Sequence, residues 1–127
     1  MHCPDCAKSM IILEYAEIEL DFCPRCKGCW LDEGELEQII GDPEAALDLF
    51  DWKGGRVGKR RCPRCLDKLH VVQLPAQGPE VDVCPQACGM WFDEGELRAA
   101  IRAQLPEEQA AGIVKALNEM FGGEKNG

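Results

Sequence analysis

Apolar and polar residues alternate strictly in one short segment near the start of the chain. Residues 17–22 read EIELDF, with an apolar side chain at every second position. This period of two is typical of a strand that buries one face. The apolar run MIILEY at 10–15 predicts a neighbouring strand, and Ala16 joins the two strands as a hairpin.

The pattern then changes to that of a helix. Apolar side chains recur at helical spacing within residues 36–40. Asp32 followed three residues later by Glu35 is the pattern of a capping box, in which both side chains accept hydrogen bonds from free backbone N–H groups. Gly41 is a typical residue just past the end of a helix. We predict one helix between Asp32 and Gly41 and a second over 42–52.

The same pattern occurs twice along the chain. The segment CWLDEGEL at 29–36 returns as MWFDEGEL at 90–97, an offset of 61 residues, whereas the first cysteine pairs are offset by 59. Two extra residues therefore lie in the second copy, and the Pro- and Gly-containing turn at 75–79 is the natural place for them. We predict the corresponding strands at 69–74 and 80–83.

The remaining segments complete the predicted organisation. Asp93 and Glu96 repeat the capping box in the second copy, and Pro106 interrupts the helix that follows. The sequence KGGRVGKRR has the composition of a linker, and an apolar stripe near the C-terminus predicts an amphipathic helix. The predicted parts are a first unit with its helices at 1–52, a basic Gly-rich linker at 53–61, a second unit with its helix at 62–105, a C-terminal amphipathic helix at 106–121 and a disordered tail at 122–127.

Nine cysteines in 127 residues explain how such small units could stay folded. A unit of about 40 residues rarely folds on apolar burial alone and usually needs a metal or disulfides. Each copy has two cysteine pairs, separated by sixteen residues in the first copy and eighteen in the second, which is the spacing of a four-cysteine zinc site. The predicted ligands are Cys3, Cys6, Cys23 and Cys26 in the first copy and Cys62, Cys65, Cys84 and Cys88 in the second.

The chemistry of these pairs favours metal over disulfides. A short turn places two sulfurs on one ion, and the hairpin between the pairs brings the second turn opposite the first. The chain opens without a basic start followed by an apolar run, so we expect a cytoplasmic protein, and clustered cysteines in reducing surroundings favour metal. We predict two Zn²⁺ ions, with iron in a rubredoxin-like site as the alternative.

The last cysteine turn is irregular. Counted from the repeated Trp segment, Ala87 stands at the place of Cys26, and Cys88 stands at that of Lys27. We predict that Cys88 still binds, in a distorted site. The ninth cysteine, Cys29, is predicted to fill a small buried apolar space, with ligand exchange with Cys26 as the alternative.

Charge bears on the class of partner. The formal net charge is −9, and eight thiolates with two divalent ions would take it to −13. Most of such a surface repels nucleic-acid phosphate, and the basic segment 53–61 is the exception. No apolar stretch is long enough to cross a membrane. No nucleophile–base pair and no phosphate-binding glycine loop is present, so we expect no enzymatic activity.

These motifs resemble a known family. The order Cys-Pro-x-Cys, hairpin, Cys-Pro-x-Cys-x-Gly-x-Trp-x-Asp-x-Gly-Glu-Leu at 3–36 is similar to the TFIIB-type zinc ribbon of prokaryotic proteins, and 62–97 looks like a second copy. The resemblance implies two zinc ribbons, each a β-hairpin with a four-cysteine zinc site followed by one or two α-helices. The fold class we expect is therefore small, metal-stabilised α+β. The resemblance implies no reaction.

Three functions follow as hypotheses. We favour a non-catalytic protein-interaction module, with self-association through the stripe of 106–121 as one option. The first alternative is transcription-related binding of nucleic acid or RNA polymerase through the basic segment 53–61. The second is a redox or metal-handling protein with a rubredoxin-like four-cysteine site.

Overall fold

The computed structural model describes residues 1–15, 18–41, 44, 55–74 and 78–120. The strands are β1 Ile11–Tyr15, β2 Ile18–Phe22, β3 Cys29–Asp32, β4 Arg56–Arg61, β5 Lys68–Gln73, β6 Glu80–Val83 and β7 Gly89–Phe92. The helices are α1 Glu33–Ile40, α2 Glu96–Gln104 and α3 Glu107–Met120.

All strands join one antiparallel sheet in the order β1-β2-β3-β7-β6-β5-β4. The hairpins β1–β2 and β5–β6 fall within one residue of the predicted strands at each end. Together with the two cysteine clusters and the helices, they give the small metal-stabilised α+β fold that the sequence indicated.

The centre of the sheet was not predicted. Strands β3 and β7 pair antiparallel with Trp30 opposite Trp91, and this pairing joins the two copies. Cys29 lies opposite Phe92 and Leu31 opposite Met90. In the repeat, Met90 corresponds to Cys29 and Phe92 corresponds to Leu31, so each of these two pairs is the counterpart of the other. An approximate two-fold axis therefore passes between the two tryptophans. The copies form an internal pseudo-dimer rather than two independent units.

The predicted linker at 53–61 is wrong over most of its length. Residues 56–61 form β4, which pairs with β5 through Arg56 opposite Val71 and Arg61 opposite Lys68. Basic residues are common on edge strands because they deter further pairing, which explains why this strand has the composition of a linker. The register shifts between its two ends, and a side chain at Gly58 would lie 3.0 Å from Cγ2 of Val71.

The helices follow the prediction where the structure describes them. Helix α1 ends at Gly41, whose left-handed φ of 75° and N–H bond to the Glu37 carbonyl close the last turn. Helix α3 runs over 107–120 of the predicted 106–121. The predicted helix 42–52 lies outside the described residues apart from Glu44, and the predicted tail at 122–127 lies wholly outside them.

One apolar core runs beneath both copies. Its members include Leu20 and Leu36 from the first copy and Val83 and Ile101 from the second. The α3 stripe contributes three buried side chains, Ala110, Val114 and Leu117. That part of the stripe is therefore used within one molecule. Over the part of the chain described here, no helix is long and apolar enough to span a bilayer.

Candidate metal centres

The eight predicted ligands come together as two sets of four. The sets are Cys3, Cys6, Cys23 and Cys26 in the first copy and Cys62, Cys65, Cys84 and Cys88 in the second. Within each set, all Sγ atoms lie within 4.8 Å of one another. The separations include 3.6 Å between Cys6 and Cys23 and 3.9 Å between Cys3 and Cys26. A tetrahedron with metal–sulfur bonds of about 2.3 Å has edges of about 3.8 Å, so the geometry fits one tetrahedral ion per set.

The cysteine turns direct backbone N–H groups at the sulfurs. In the first turn, Asp5 and Cys6 donate to Sγ of Cys3 at 3.3 and 3.5 Å. In the third turn, Arg64 and Cys65 donate to Sγ of Cys62 at 3.4 and 3.5 Å. These donors favour the thiolate, which is the form that binds metal.

The irregular fourth turn still delivers its ligand. In the other three turns the residue after the second cysteine is left-handed, with φ of 64° at Ala7, 66° at Lys27 and 68° at Leu66. In the fourth turn the left-handed residue is Ala87, with φ of 60°, directly before Cys88. Relative to its first cysteine, the fourth turn reverses one residue earlier than the others, and Cys88 joins the set of four.

Burial and backbone hydrogen bonds shift the pKa values of the thiols within each set in opposite directions. Burial raises the pKa of Cys3, and it raises that of Cys62 to about 11. The backbone N–H of Lys8 lowers the pKa of Cys6 to about 7, and a similar bond from the residue two positions on lowers that of Cys65. A bound cation is what would allow all four thiols to be deprotonated together.

The repeated Trp-x-Asp-x-x-Glu segment forms the same hydrogen-bonded unit twice. The indole N–H of Trp30 donates to the Asp32 carboxylate at 2.9 Å, and the Asp32 backbone N–H donates to the Glu35 carboxylate at 2.9 Å. In the second copy the corresponding distances, from Trp91 to Asp93 and from Asp93 to Glu96, are 3.0 and 2.8 Å. The tryptophan–aspartate bond was not predicted.

The second capping box differs from the prediction in one respect. Helix α2 begins at Glu96, after a turn in which Gly95 is left-handed with φ of 83°. Glu96 still accepts from the Asp93 backbone, but Asp93 lies three residues before the helix instead of capping it directly. In the first copy Asp32 is the N-cap residue itself.

Each tryptophan packs against the other copy. The ring of Trp91 lies so close to Gly28 that a Cβ there would overlap Cζ2, and a Cβ at Gly89 would lie 2.8 Å from Cζ2 of Trp30. Both tryptophans are fully buried in one cluster with four of the cysteine ligands and Leu69. The two metal centres therefore share one packed layer.

Ion pairs also cross between the copies. The Arg60 guanidinium donates to the carboxylates of Asp82 at 2.7 Å, Asp93 at 3.0 Å and Asp5 at 3.1 Å, and Asp5 belongs to the first copy. Arg64, at the position of Asp5 in the second copy, lies 3.3 Å from the Asp32 carboxylate of the first. The first cysteine turn of each copy thus reaches the Trp-x-Asp unit of the other, directly or through Arg60.

The ninth cysteine lies outside both sets. Cys29 is on β3, buried among the apolar residues of the main core, and burial raises the pKa of its thiol to about 12. A protonated, apolar-packed thiol fits the small buried role expected from the sequence.

The two capping glutamates predict a pH dependence of stability. Burial raises the pKa of Glu35 to about 7, above its ordinary value of 4.5, and Glu96 is shifted in the same way. A folded-state pKa above the unfolded one gives stability that is present at low pH and is lost as pH rises through about 7. We expect Glu35→Gln to gain thermal stability relative to the native chain as pH rises from about 6 to about 8.

Thermal unfolding of both metal-loaded proteins across that range measures this effect. Because the cysteine sites are common to both proteins, the difference between them isolates Glu35. Glu37→Gln, at an exposed position of the same helix, is the matched control and should give a constant difference. A difference for Glu35→Gln that does not change with pH would contradict the prediction.

Two four-cysteine metal sites, each held by a β-hairpin and followed by a helix, define a tandem metal-ribbon protein. The profile of the transcription factor zinc-finger family, the TFIIB-type zinc ribbon, matches residues 2–42 and 61–103, and the chain belongs to that family. No curated protein and no solved structure matches the chain.

Proposed function

We propose that the chain is a zinc protein in which both ions are structural, and that it acts as a non-catalytic protein-interaction module. The observation that carries this proposal is the closure of each site by four cysteine sulfurs. Four thiolates around zinc leave no position for water or substrate. Zinc is the ion that families of this kind of site typically hold, and it has no redox chemistry of its own.

The raised pKa values of Glu35 and Glu96 do not favour catalysis. A carboxyl group that titrates near pH 7 is a common feature of active sites. Here each carboxylate accepts a backbone N–H bond from the aspartate three residues earlier, at 2.9 and 2.8 Å. Burial is the main cause of the raised pKa values, so a structural role suffices.

The distribution of charge favours a protein partner over nucleic acid. Of the basic residues in β4, Arg56 pairs with Glu80 and Arg60 pairs with three carboxylates. Arg64, beside the third cysteine turn, pairs with Asp32. These arginines are directed to the chain's own carboxylates rather than to a phosphate backbone, and the net charge opposes phosphate binding.

Metal analysis tests the identity of the ion. Protein purified without chelator should contain two zinc ions per chain and show no visible absorption. Iron in either site, with the absorption of a ferric thiolate centre, would overturn the proposal in favour of a rubredoxin-like electron carrier.

Cobalt substitution tests whether the coordination is closed. Co²⁺ in both sites should give the visible spectrum of a tetrahedral four-sulfur centre, and added azide or cyanide should leave that spectrum unchanged. A spectral change on adding either anion would show an open position and would make a catalytic role the better explanation.

A further inference from the structure

The two ends of the sheet are built differently. At one end β4 covers the outer edge of β5, with Arg56 opposite Val71 and Val57 opposite His70. At the other end β1 is the last strand, and within the described part of the chain no strand lies along its outer edge. By the offset of 59, the β1 residues that correspond to His70 and Val71 are Ile11 and Ile12.

For a short distance, the first residues of the chain lie beside the first copy as the end of β4 lies beside the second. His2 forms a bridge with Ser9, and the offset of 59 makes this bridge the counterpart of the pairing between Arg61 and Lys68. Among the described residues, no strand pairs with β1 beyond this bridge, and this stretch of β1 is the open edge.

The open edge exposes apolar side chains. Ile11 is 48% exposed and Ile12 is 68% exposed. Their counterparts His70 and Val71, which pair with β4, are only partly exposed. An edge strand with unpaired backbone groups and two exposed isoleucines is a template for strand addition.

The carboxylates beside the open edge lack the partners that β4 supplies at the other end. Arg56 pairs with Glu80 at 2.9 Å, and Arg60 pairs with Asp82 at 2.7 Å. By the offset of 61, Glu80 corresponds to Glu19 and Asp82 corresponds to Asp21. Among the described residues, the carboxylates of Glu19 and Asp21 form no hydrogen bond and no ion pair.

Asp21 is partly buried, which makes an absent partner more costly there than at Glu19. Asp21 is on β2, directly opposite Ile12 of β1. The Arg64 guanidinium lies 3.3 Å from the Asp32 carboxylate and pairs with it. The first copy therefore has a place for a covering strand and negative charge beside it.

We propose that the outer edge of β1 binds an extended basic segment of a partner protein by strand addition. An aliphatic residue of the segment would lie opposite Ile11, and an adjacent arginine or lysine would lie opposite Ile12 and pair with Glu19, as Val57 and Arg56 do at the other end. This inference rests on the proposed function, since it names the surface of the interaction module. A second copy of the chain is the less favoured occupant because two such edges would bring Glu14 and Glu19 of both molecules together.

A short peptide tests the proposal directly. The probe is a fluorescent peptide of sequence GRVGKRR, identical to residues 55–61, and binding to the full zinc-loaded chain is followed by fluorescence anisotropy and by NMR shifts. We expect saturable binding with shifts along β1. Ile12→Lys should weaken binding about tenfold, corresponding to about 1.4 kcal/mol.

Charge and position have separate controls. Glu19→Lys should weaken binding of the basic peptide severalfold and leave the edge itself intact. Val57→Lys makes the same aliphatic-to-lysine change at a 62% exposed position on the outer strand of the other end, and it should leave binding unchanged. A peptide with glutamate in place of every basic residue should not bind.

Several outcomes would overturn the proposal. No binding of GRVGKRR, equal binding by native chain and Ile12→Lys, or a loss caused equally by Val57→Lys would each do so. A dimer in sedimentation that Ile12→Lys abolishes would identify a second copy as the occupant instead. If the peptide fails while the chain retains two zinc ions in closed sites, the proposed function stands and only this partner surface is rejected.

Discussion

Replacement of Cys23 by serine is expected to unfold both copies, although only one metal site loses a ligand. Structural zinc contributes about 10–16 kcal/mol in small zinc domains, which is as large as the total stability of about 5–15 kcal/mol of most proteins. The two sites share one buried layer, in which Trp30 and Trp91 pack with ligands of both sets. Loss of the first site should therefore expose the second as well.

Metal content and NMR spectra measure the result. We expect fewer than one bound zinc per chain and loss of dispersed signals from Val81 and Val83 on β6, which belong to the intact copy. Cys29→Ala is the matched control, since Cys29 is buried on the adjacent strand but lies outside both sets. It should keep two zinc ions and lose only about 1 kcal/mol of stability. A folded second copy with its own zinc in Cys23→Ser would contradict the coupling.

Alanine at Gly28 or Gly89 is expected to cause the largest loss among substitutions that leave the ligands intact. A Cβ at Gly28 would overlap the Trp91 ring and lie 2.8 Å from the Phe92 carbonyl oxygen. A Cβ at Gly89 would overlap the Leu31 carbonyl oxygen. Backbone atoms of a central strand cannot move aside as a flexible side chain can, so we expect each substitution to cost about 3 kcal/mol or more.

Denaturant unfolding in excess zinc gives this cost. Gly34→Ala is the matched control, because Gly34 lies in α1 without a left-handed φ, and a Cβ added there would have nothing within 4 Å. It should stabilise the protein by about 0.5–1 kcal/mol. A loss below about 0.5 kcal/mol for Gly28→Ala would show that the two copies do not pack as tightly as described.

The hairpins and the ligand sets could be predicted because their signals are local. Alternation in 17–22 predicts a strand with one buried face, β2 spans Ile18–Phe22, and each cysteine pair lies within a single turn. Even the displaced ligand Cys88 could be predicted, because the repeat places a ligand at the neighbouring position 87 and no other donor is near in the sequence. None of these features depends on how the two copies meet.

The centre of the sheet could not be predicted for the opposite reason. Cys29, Trp30 and Leu31 are all buried, so β3 shows no alternation. Both faces of this strand are covered only because β7 pairs with it and the copies pack around the pair. A pattern within one copy does not contain that information, and within one copy the segment indicates no more than a connection between cysteine turn and helix.

The arginine network was missed because its partners are distant in sequence. Arg60 contacts Asp5 across 55 positions and Asp93 across 33. In the sequence Arg60 is one of several basic residues in a glycine-containing segment, which is typical of a linker. Only the return of β4 along β5 directs its guanidinium at three carboxylates.

The pairing of β3 with β7 makes two repeats on one chain pack as the halves of a dimer. Because the two halves have different sequences, they can also differ in their contacts, which identical halves cannot. In a dimer of identical chains, every edge, and every contact away from the two-fold axis, would occur twice. Here the position of Asp5 in one half is held by Arg64 in the other, and among the described residues β4 covers one end of the sheet while β1 has no such neighbour. A fused pair can thus become one-sided, because a surface that a symmetric dimer would present twice or not at all can occur once.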